Sequence, residues 1–586
     1  MKIIFLNDLP AKLDRPFGVY DYDERFIGNP NYIDVRGIVK AKNKEWLDEV
    51  QRDHAQLSQK FLNYTRWWWV TSASRLDARP WGQEYLFKPL FFARAVVEWL
   101  GHNKETHEII LIGCDPMVAL YLKEFKKDLA LENKKMFFYP AIFTIRAFKY
   151  SLACLLTLFH NAMHISRYHL FRRKKSIGSE VLVLYELFSH SFSLTDARKY
   201  YYDSLFDLLN SSGKNRISYG CIEISHCKVS GLRQEVTEPI FFLLDNIGPG
   251  QLLRSIGINI SLILVAWVVA LRGIPCSIGP YTSRWFWPTY LFREFSRTSC
   301  LLAICTYSAL SEVLLHQRYK FVVYPYEEKG IERAILFACY ENNVASIGYA
   351  QHPQHSLAVA LRDTHRPMSP KPSSYAVCGP AYVDYFESWA KKDRNSIDVW
   401  GSIKSSVKDF AIRTVSGSDR KVLLLLSHPH ELRVFRSWLL AEKRLSNKIT
   451  YYVRTYKAIG GRFFAAEMAP LLKNFYCIQE SNGDLAEDIR RCNIAIFCAT
   501  SAGLIAVNHG CLAIHVCLDD FFQINPCFDD LDAMLSCENA AQFARRLEDL
   551  RAVDDASINN LLERQRLFVS RIFSPIQPET IKKKIL

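Results

Sequence analysis

The segment Lys421-Val-Leu-Leu-Leu-Leu-Ser-His-Pro-His-Glu431 decides the fold. Its five consecutive apolar residues are typical of a strand covered on both faces, as in the centre of a parallel α/β sheet. The proline then ends the strand. Because ligands bind beyond the carboxyl ends of such strands, His428, His430 and Glu431 stand where chemistry is expected.

Similar strands recur along most of the chain, and each is followed by a helical stretch. This alternation predicts an α/β protein with parallel sheets. The clearest predicted strands are Trp67–Thr71, Ile109–Ile112, Val181–Tyr185, Ile240–Leu244, Phe321–Tyr324, Ala345–Tyr349, Val422–Leu426, Thr450–Val453, Ile494–Cys498 and Leu512–Val516.

The length of 586 residues is too great for one core and predicts roughly three or four domain-sized units. One break follows the basic run near Lys175, and a second is the linker VSGSDRK at 415–421. The predicted units are an N-terminal α/β region (1–140), a basic amphipathic helical segment (141–178), a first Rossmann-like domain (179–415) and a second one (416–586).

The formal net charge of +14 favours polyanionic neighbours such as phosphorylated substrates or an anionic membrane surface. No zinc knuckle, RNA-binding signature or basic recognition helix is visible, so nucleic acid is not expected as a partner. The sixteen cysteines include no Cys-x-x-Cys pair, and most lie in apolar runs. This usage, together with a start (MKIIFLNDLP) that does not read as a secretory signal, predicts a cytoplasmic protein.

Two segments raise the question of membrane contact. The first, 256–271, has sixteen residues including Asn259, whereas a span needs about 20 apolar residues, so we expect a buried helix. The second, 143–175, mixes Leu, Phe and Ile with basic residues and ends in Arg172-Arg173-Lys174-Lys175. It fits either a helix lying on an anionic surface or a long packed helix whose basic last turn favours the helix dipole.

In the C-terminal part, the strand Ile494-Ala-Ile-Phe-Cys runs into Thr500-Ser501-Ala502-Gly503 and then into a helical pattern. Small hydroxyl residues at such a turn offer hydroxyls and backbone N–H groups to a phosphate. Helix capping is the alternative, since Thr and Ser are equally suitable for it. His428-Pro429 after a neighbouring strand favours phosphate binding, because it supplies a second donor.

Three features follow one another in this part: the strand ending at His428-Pro429, the strand ITYYVRTYK (449–457) and the stretch DLAEDIRRCNIAIFCATSAGLIAVNHGCLAIHV (484–516). Together they resemble the donor domain of GT-B glycosyltransferases. The His-Pro pair with a Thr-Ser pair resembles enzymes that use CMP-activated sugars, the bacterial sialyltransferases and Kdo transferases.

The resemblance implies that His428, Thr500 and Ser501 contact the nucleotide phosphate. Further donor-binding candidates are Pro429, His430, Gly503 and Arg454. The sequence departs from the pattern of many GT-B donor helices at Ile505, where an acidic residue would hold the ribose.

A second set of motifs covers more of the chain: WWWVTSASRLDARPW (67–81), ELFSHSFSLTDARKYYYDSLFDLLNSSG (186–213) and YEEKGIERAILFACYENNVASIGYAQHPQHS (326–356). These motifs are similar to the bacterial surface carbohydrate biosynthesis proteins of O-antigen and capsule clusters. In that family a Glu-containing helix start and a Gln-His or His-Ser motif bracket a βα unit. The corresponding cleft candidates are Gln351, His352, His355 and Ser356.

A metal-independent GT-B enzyme needs one carboxylate to deprotonate the acceptor. The candidates are Glu327, Glu328 and Glu332, which follow the strand KFVVYP, although an acidic first turn that favours the helix dipole is the alternative. Asp21-Tyr22-Asp23 lies in a polar loop without a preceding strand, so we do not expect a metal site there. No cofactor is expected besides the nucleotide-sugar donor.

The alternation of strands and helices predicts the α/β class, and the resemblance implies its GT-B variant, with two Rossmann-like domains facing a central cleft and an extended N-terminal region. The resemblance implies transfer of Kdo or a related 2-keto sugar acid from a CMP-sugar to a lipid-linked glycan, in lipopolysaccharide or capsule synthesis at the cytoplasmic face of the inner membrane. A UDP- or GDP-sugar glycosyltransferase, a CDP-alditol phosphotransferase and a catalytically silent scaffold remain alternatives.

Overall fold

A computed structural model gives the fold of the chain. It describes residues 2–6, 15–20, 26, 29–62, 67–68, 84–132, 144–153, 155–156, 180–187, 202, 205, 217–223, 240–278, 280–327, 329–351, 370–388, 390–402, 404, 420–426, 429–442, 445, 449–455, 478–481, 485–518, 526–527 and 533–585.

The described strands form three parallel sheets and one short hairpin. The strands are β1 (Lys2–Leu6), β2 (Phe17–Val19), β3 (Glu108–Ile112), β4 (Ala130–Glu132), β5 (Val181–Leu187), β6 (Ile217–Glu223), β7 (Ile240–Phe242), β8 (Cys276–Ile278), β9 (Tyr281–Ser283), β10 (Phe321–Pro325), β11 (Ala345–Ala350), β12 (Ser374–Val377), β13 (Ile397–Val399), β14 (Arg420–Leu426), β15 (Ile449–Thr455), β16 (Ile478–Glu480), β17 (Ile494–Phe497) and β18 (Leu512–His515).

The helices are α1 (Val35–Leu62), α2 (Glu84–His102), α3 (Pro116–Phe125), α4 (Pro249–Arg272), α5 (Phe286–Phe295), α6 (Thr298–His316), α7 (Gly330–Glu341), α8 (Pro380–Ser388), α9 (Pro429–Ala441), α10 (Leu485–Arg491), α11 (Ala502–Asn508), α12 (Ala540–Ala552), α13 (Asp555–Ile572) and α14 (Pro578–Ile585). Residues 144–153 and 155–156 are also helical.

The largest sheet has seven parallel strands in the order β13-β12-β11-β10-β5-β6-β7. The chain runs outward from β5 to β7 and then returns to lay β10 on the other side of β5. This reversal makes the gap between β5 and β10 the topological switch point, which is where doubly wound sheets bind ligands.

The second sheet has five parallel strands in the order β16-β15-β14-β17-β18. It contains the opening segment as β14, and the side chains Val422 to Leu426 are all buried. The chain again runs outward first, to β16, and then returns to place β17 beside β14. The switch point of this sheet therefore lies between β14 and β17.

The N-terminal region has its own parallel sheet, in the order β2-β3-β1-β4, and it packs against the rest of the chain. Arg36, near the start of α1, donates from Nη2 to the carbonyl of Cys517 at 2.9 Å, and this hydrogen bond is buried. Cys517 follows β18 at the carboxyl edge of the five-stranded sheet. The N-terminal region therefore reaches the same edge that the second switch point opens on.

The C-terminal end crosses back onto the seven-stranded sheet. Ser574 donates its backbone N–H to Cys378, and Gln577 donates to Trp400, each at 2.9 Å. Lys584 Nζ lies 2.9 Å from Asp398 Oδ2. These bonds tie the segment of the last two helices to β12 and β13, so the two large sheets are held together by more than the chain connection from β13 to β14.

The α/β class with two Rossmann-like domains and an extended N-terminal region is confirmed. One predicted strand is wrong where it is described, because Trp67 and Trp68 lie in a 3-10 turn. The Trp68 ring stacks on Phe61 at 4.7 Å between centroids, so aromatic packing rather than strand pairing buries it.

The predicted buried helix at 256–271 belongs to α4, which is buried on one face only. Asn259 and Leu262 are buried, whereas Leu264 and Leu271 are exposed. By length and hydropathy, α4 and residues Ser299–His316 of α6 are the two described helices that could cross a membrane. Of the stretch Ser299–His316, 67% is buried inside the protein.

Candidate active site

The carboxyl edge of the seven-stranded sheet carries a cluster of four charged residues, which we call the switch-point cluster: Glu186, Glu327, Lys329 and Glu332. Glu186 lies in β5, and the other three follow β10. Lys329 Nζ lies 2.8 Å from Glu186 Oε2 and 3.5 Å from Glu327 Oε2. Because β5 and β10 flank the switch point, the cluster lies where such sheets bind ligands.

Glu332 holds the loop between β10 and α7 in place. Its Oε2 accepts hydrogen bonds from the backbone N–H of Glu327 at 2.6 Å and of Lys329 at 3.1 Å. This is a capping box, in which a glutamate three residues after the cap satisfies the helix start. Within the described part of the chain, the buried Oε1 has no hydrogen-bond partner.

Burial dominates the electrostatics of the switch-point cluster. It raises the pKa of the Glu332 carboxyl well above its usual value, Lys329 opposes this, and Glu186 and Glu327 add to it. Burial also disfavours the Lys329 ammonium, but the three surrounding glutamates outweigh this and raise the pKa of Lys329. Three carboxyls share one ammonium, so the cluster can accept a proton.

The glutamates of the switch-point cluster differ in access to solvent. The side chains of Glu186 and Glu332 are 1% and 2% exposed, whereas that of Glu327 is 16% exposed. A carboxylate must reach a hydroxyl within hydrogen-bond distance to deprotonate it. Of these three described glutamates, Glu327 is the one best placed to meet a molecule in the cleft.

Lys404 joins the two large sheets. Its carbonyl accepts a hydrogen bond from Asn508 Nδ2 of α11 at 3.2 Å, and its ammonium lies 5.8 Å from the Phe573 ring centroid. Burial lowers the pKa of Lys404 to about 8, an effect opposed by Cys378 and Glu327. A cation that titrates near neutrality therefore lies between the switch-point cluster and the domain that carries β14 and β17.

In the five-stranded sheet, the strands that precede the two predicted phosphate-binding segments lie side by side. β14 and β17 are paired, with Leu425 opposite Phe497. His428 and Thr500 each come three positions after these partners in the sequence. His428 lies outside the described residues, and its contact with a donor stays a prediction.

Thr500 and Ser501 form the turn from β17 into α11 and are both partly exposed. Thr500 Oγ1 accepts from the backbone N–H of Ala502 at 3.2 Å. The Ser501 side chain makes no capping hydrogen bond, although Ser501 is the N-cap residue of α11. Helix capping therefore accounts for one hydroxyl of the pair and leaves the other for a different role.

Gly503 and Arg454 have structural partners beside these turns. A Cβ at Gly503 would overlap the ring of Phe497, so glycine is what lets α11 pack closely on β17. Arg454 Nη1 lies 2.6 Å from Oδ2 of the buried Asp488, which also accepts from Ser481 Oγ. The predicted contacts of Gly503 and Arg454 with a donor stay predictions.

Gln351 directly follows β11, the strand next to β10, and is buried. Neither of its amide atoms has a hydrogen-bond partner among the residues that the structure describes. Buried polar atoms are normally paired, so this amide has capacity for a ligand or a neighbouring segment. Four other predicted site residues lie outside the described residues: His352, His355, Ser356 and Glu328. Pro429 and His430, predicted to bind the donor, are the first residues of α9.

Sequence reasoning missed Glu186, Lys329 and Lys404. A signal exists for Glu186, because a single charged residue interrupts the apolar run VLVLYEL of β5. Lys329 stands inside the motif YEEKG, where only the glutamates were weighed. Lys404 follows an edge strand in a segment without any pattern, so only the fold reveals it.

No family model matches the chain, and no curated protein sequence matches it. Several solved structures are similar to it at low identity and low TM-score. A glycosyltransferase from Rickettsia africae has 11% identity over 70% of this chain and 97% of its own, with a TM-score of 0.40. The UDP-GlcNAc 2-epimerase from Neisseria meningitidis has 10% identity over 69% of this chain and 99% of its own, with a TM-score of 0.40. The wall teichoic acid polymerase TagF has 11% identity over 75% of this chain and 96% of its own, with a TM-score of 0.36. Because identity is so low, activity has to be inferred from the residues of the chain itself.

Proposed function

We propose that the chain is a glycosyltransferase that moves a sugar from a nucleotide donor onto a lipid-linked glycan of the bacterial surface. The observation that carries this proposal is that both Rossmann-like sheets place polar residues at their switch points. Hydroxyls suited to a phosphate follow β17, and carboxyls suited to a proton follow β10. Sugar transfer needs both, one to stabilise the leaving group and one to activate the acceptor.

On the donor side, Thr500 and Ser501 bind the nucleotide phosphate together with His428. Lys404 supplies positive charge toward the same leaving group from between the two sheets. As the bond from sugar to phosphate breaks, negative charge grows on the phosphate oxygens. Hydrogen-bond donors and a cation that are already in place stabilise that charge without rearrangement.

On the acceptor side, Glu327 is the general base. It takes the proton of the acceptor hydroxyl, and the oxygen then attacks the anomeric carbon while the nucleotide leaves. Lys329 positions the Glu327 carboxylate at 3.5 Å, and Glu332 fixes the backbone of both residues. Glu328, the neighbouring residue, is the second candidate for the base.

The donor is assigned as a CMP-linked 2-keto sugar acid, Kdo or a relative, on the His-Pro and Thr-Ser resemblance. Many GT-B helices carry an acidic residue that holds the ribose at the position of Ile505. Because Ile505 cannot do this, donors linked to UDP, GDP or CDP remain alternatives. The enzyme works at the cytoplasmic face of the inner membrane as a peripheral protein. Exposed leucines on α4 and on the helix at 144–156 support this location.

The proposal is tested by incubating purified protein with CMP-Kdo or with UDP- and GDP-sugars, in the presence of membranes that contain lipid-linked glycans. Release of one nucleotide that depends on both protein and membranes is the expected result. A melting temperature raised by that same nucleotide would agree, since binding to the folded state stabilises it. If no nucleotide is released and none shifts the melting temperature, the chain is a scaffold and not an enzyme.

Replacing Glu332 separates its structural role from a catalytic one. Glu332→Ala leaves two backbone N–H groups without their acceptor and should lower the free energy of unfolding by about 2–4 kcal/mol. Glu332→Gln keeps an acceptor oxygen and removes a carboxyl whose pKa burial has raised, so it should retain both stability and turnover. Urea unfolding and initial rates measure the two effects, and loss of turnover in the stable Gln variant would make Glu332 a catalytic residue.

Replacing Lys404 should move stability and nucleotide affinity in opposite directions. Since folding lowers the pKa of Lys404 from 10.5 to about 8, the folded state disfavours its charged form. This cost is present below pH 8 and disappears as pH rises toward 10.5. Lys404→Met removes the cost and should raise the free energy of unfolding at pH 7 by on the order of 2–3 kcal/mol.

The same variant should weaken nucleotide binding, because a phosphate attracts the ammonium. In the native protein, nucleotide affinity should fall as pH rises through about 8, where Lys404 loses its charge. In Lys404→Met that fall should be absent. Calorimetric titrations at several pH values measure it, and equal pH profiles for the two proteins would remove Lys404 from the donor site.

A further inference from the structure

A cavity of about 350 Å³ lies at the carboxyl edge of the N-terminal sheet, far along the chain from the switch-point cluster. It lies between the start of α3, the helical residues 144–153 and α5. Its charged lining residues are Arg146, Lys149 and Arg293 on the positive side and Asp115 on the negative side, so it carries a net positive charge. We call it the basic pocket.

The wall of the basic pocket is built around Asp115. Its Oδ1 accepts from the backbone N–H of Met117 at 2.8 Å and so caps α3. Both carboxylate oxygens also bind Arg146 Nη2, at 3.1 and 3.3 Å. Asp115 therefore fixes one guanidinium at the wall, and Lys149 adds a further positive charge to the lining.

The helix that contributes Arg146 and Lys149 also carries an exposed apolar stripe: Ile145, Phe148, Leu152, Leu155 and Leu156, which are 47–66% exposed. At 100° per residue these five side chains fall within an arc of about 100°, the width of a buried helix face. Proteins rarely expose a contiguous apolar row of this kind unless a partner covers it.

The stripe and the basic pocket meet at Lys149. Around the helix, Lys149 is followed by Arg146 and Tyr150, and both line the pocket. Ala147, on the face opposite the stripe, is buried. One helix thus turns apolar side chains outward and cationic ones toward a cavity beside them. A membrane leaflet has the matching layers, with acyl chains next to phosphates.

We propose that the basic pocket binds the phosphate of an anionic membrane lipid while the stripe lies among the acyl chains. The occupant is a phosphorylated lipid headgroup, because its negative charge complements the pocket and its attached chains match the adjoining stripe. The cavity is near the lower end of the ~300–1,000 Å³ range of ligand pockets, which suits a headgroup. This inference rests on the proposed membrane location and not on sugar transfer.

The test uses the full-length protein and sedimentation with vesicles of phosphatidylcholine alone or mixed with phosphatidylglycerol. We expect binding to the mixed vesicles, weakened by salt. Arg146→Gln with Lys149→Gln should reduce it by about 25-fold, on the basis of roughly fivefold per charge near a membrane surface. Phe148→Glu should abolish binding to the mixed vesicles.

Matched controls come from helices elsewhere in the chain: Leu567→Glu replaces an exposed leucine of α13, and Lys583→Gln removes an exposed cation of α14. Both should bind vesicles like the native protein. Calorimetry with dihexanoyl phosphatidylglycerol, used as a soluble monomer, isolates the basic pocket from the stripe. Its binding should be lost in the Arg146/Lys149 variant and kept in Phe148→Glu.

Equal vesicle binding by the native protein and the Arg146/Lys149 variant would overturn the pocket assignment. A native protein that binds no vesicles and forms a dimer, split by Phe148→Glu in light scattering, would assign the stripe to a second copy instead. Nucleotide binding is measured separately with soluble ligands, so failure here leaves the proposed glycosyltransferase activity standing.

Discussion

Glu327→Gln should lower the turnover number of sugar transfer by about 10²–10⁴-fold while leaving nucleotide affinity unchanged. The amide occupies the same volume but cannot take a proton from the acceptor hydroxyl. Glu327 is partly exposed at the switch point between β5 and β10, and Lys329 holds its carboxylate at 3.5 Å. Initial rates with saturating donor measure the loss, and calorimetric titration of the nucleotide measures what remains.

Two variants make this result specific. Glu387→Gln changes an exposed glutamate of α8 in the same domain and should transfer sugar at the native rate. Glu328→Gln tests the neighbouring residue. Native turnover in Glu327→Gln together with a large loss in Glu328→Gln would assign the base to Glu328, and native turnover in both would remove the base from this loop.

Thr500→Ala combined with Ser501→Ala should weaken nucleotide binding by about 100-fold or more. Each hydroxyl that bonds a charged phosphate contributes about 1.5–3 kcal/mol, and the variant removes two of them. Loss of the bond from Ala502 N–H to Thr500 Oγ1 should cost about 1 kcal/mol of stability, which leaves the protein folded. Titration calorimetry measures the affinity.

The hydroxyl itself can be tested by restoring it. Thr500→Ser keeps an oxygen at this position and should bind nucleotide almost as well as the native protein. Ser570→Ala removes an exposed hydroxyl from α13 and should have no effect. An unchanged affinity in the double alanine variant would place the phosphate somewhere other than the turn after β17.

The sequence predicts strands that are apolar on both faces and fails where tertiary packing decides. β14 is recognisable because its leucines are buried on both sides of the sheet. Strands such as β6, with the sequence ISYGCIE, mix polar residues and glycine and have no such pattern. Trp67 and Trp68 favour a strand by propensity, yet they lie in a turn, where Trp68 stacks on Phe61 and Trp67 packs edge-on against Tyr307.

The membership of the switch-point cluster could not be predicted, because it depends on strand order. Lys329 and Glu186 lie 143 positions apart and meet only because β10 returns beside β5. The hydrophobic periodicity of a sequence does not indicate which strands are neighbours in the sheet. By contrast, the motif YEEKG locates the loop correctly, and the acidic first turn proposed there as an alternative is real for Glu332, which caps α7.

The candidate site at the five-stranded sheet was more predictable, since a strand followed by polar residues is a local pattern. β14 and β17 each show it in the sequence, and the two strands are paired in the structure. What the sequence left open was the contribution of other domains to that edge. Arg36 from the N-terminal region reaches it through a hydrogen bond that spans 481 positions.

A structure determined with the nucleotide bound tests the central claim most directly. The nucleotide phosphate should lie within hydrogen-bond distance of the hydroxyls of Thr500 and Ser501 and of the His428 ring, and the sugar end should point toward Glu327. A nucleotide seated elsewhere, or a phosphate beyond reach of both hydroxyls, would contradict the proposal that the two switch points serve one transfer reaction.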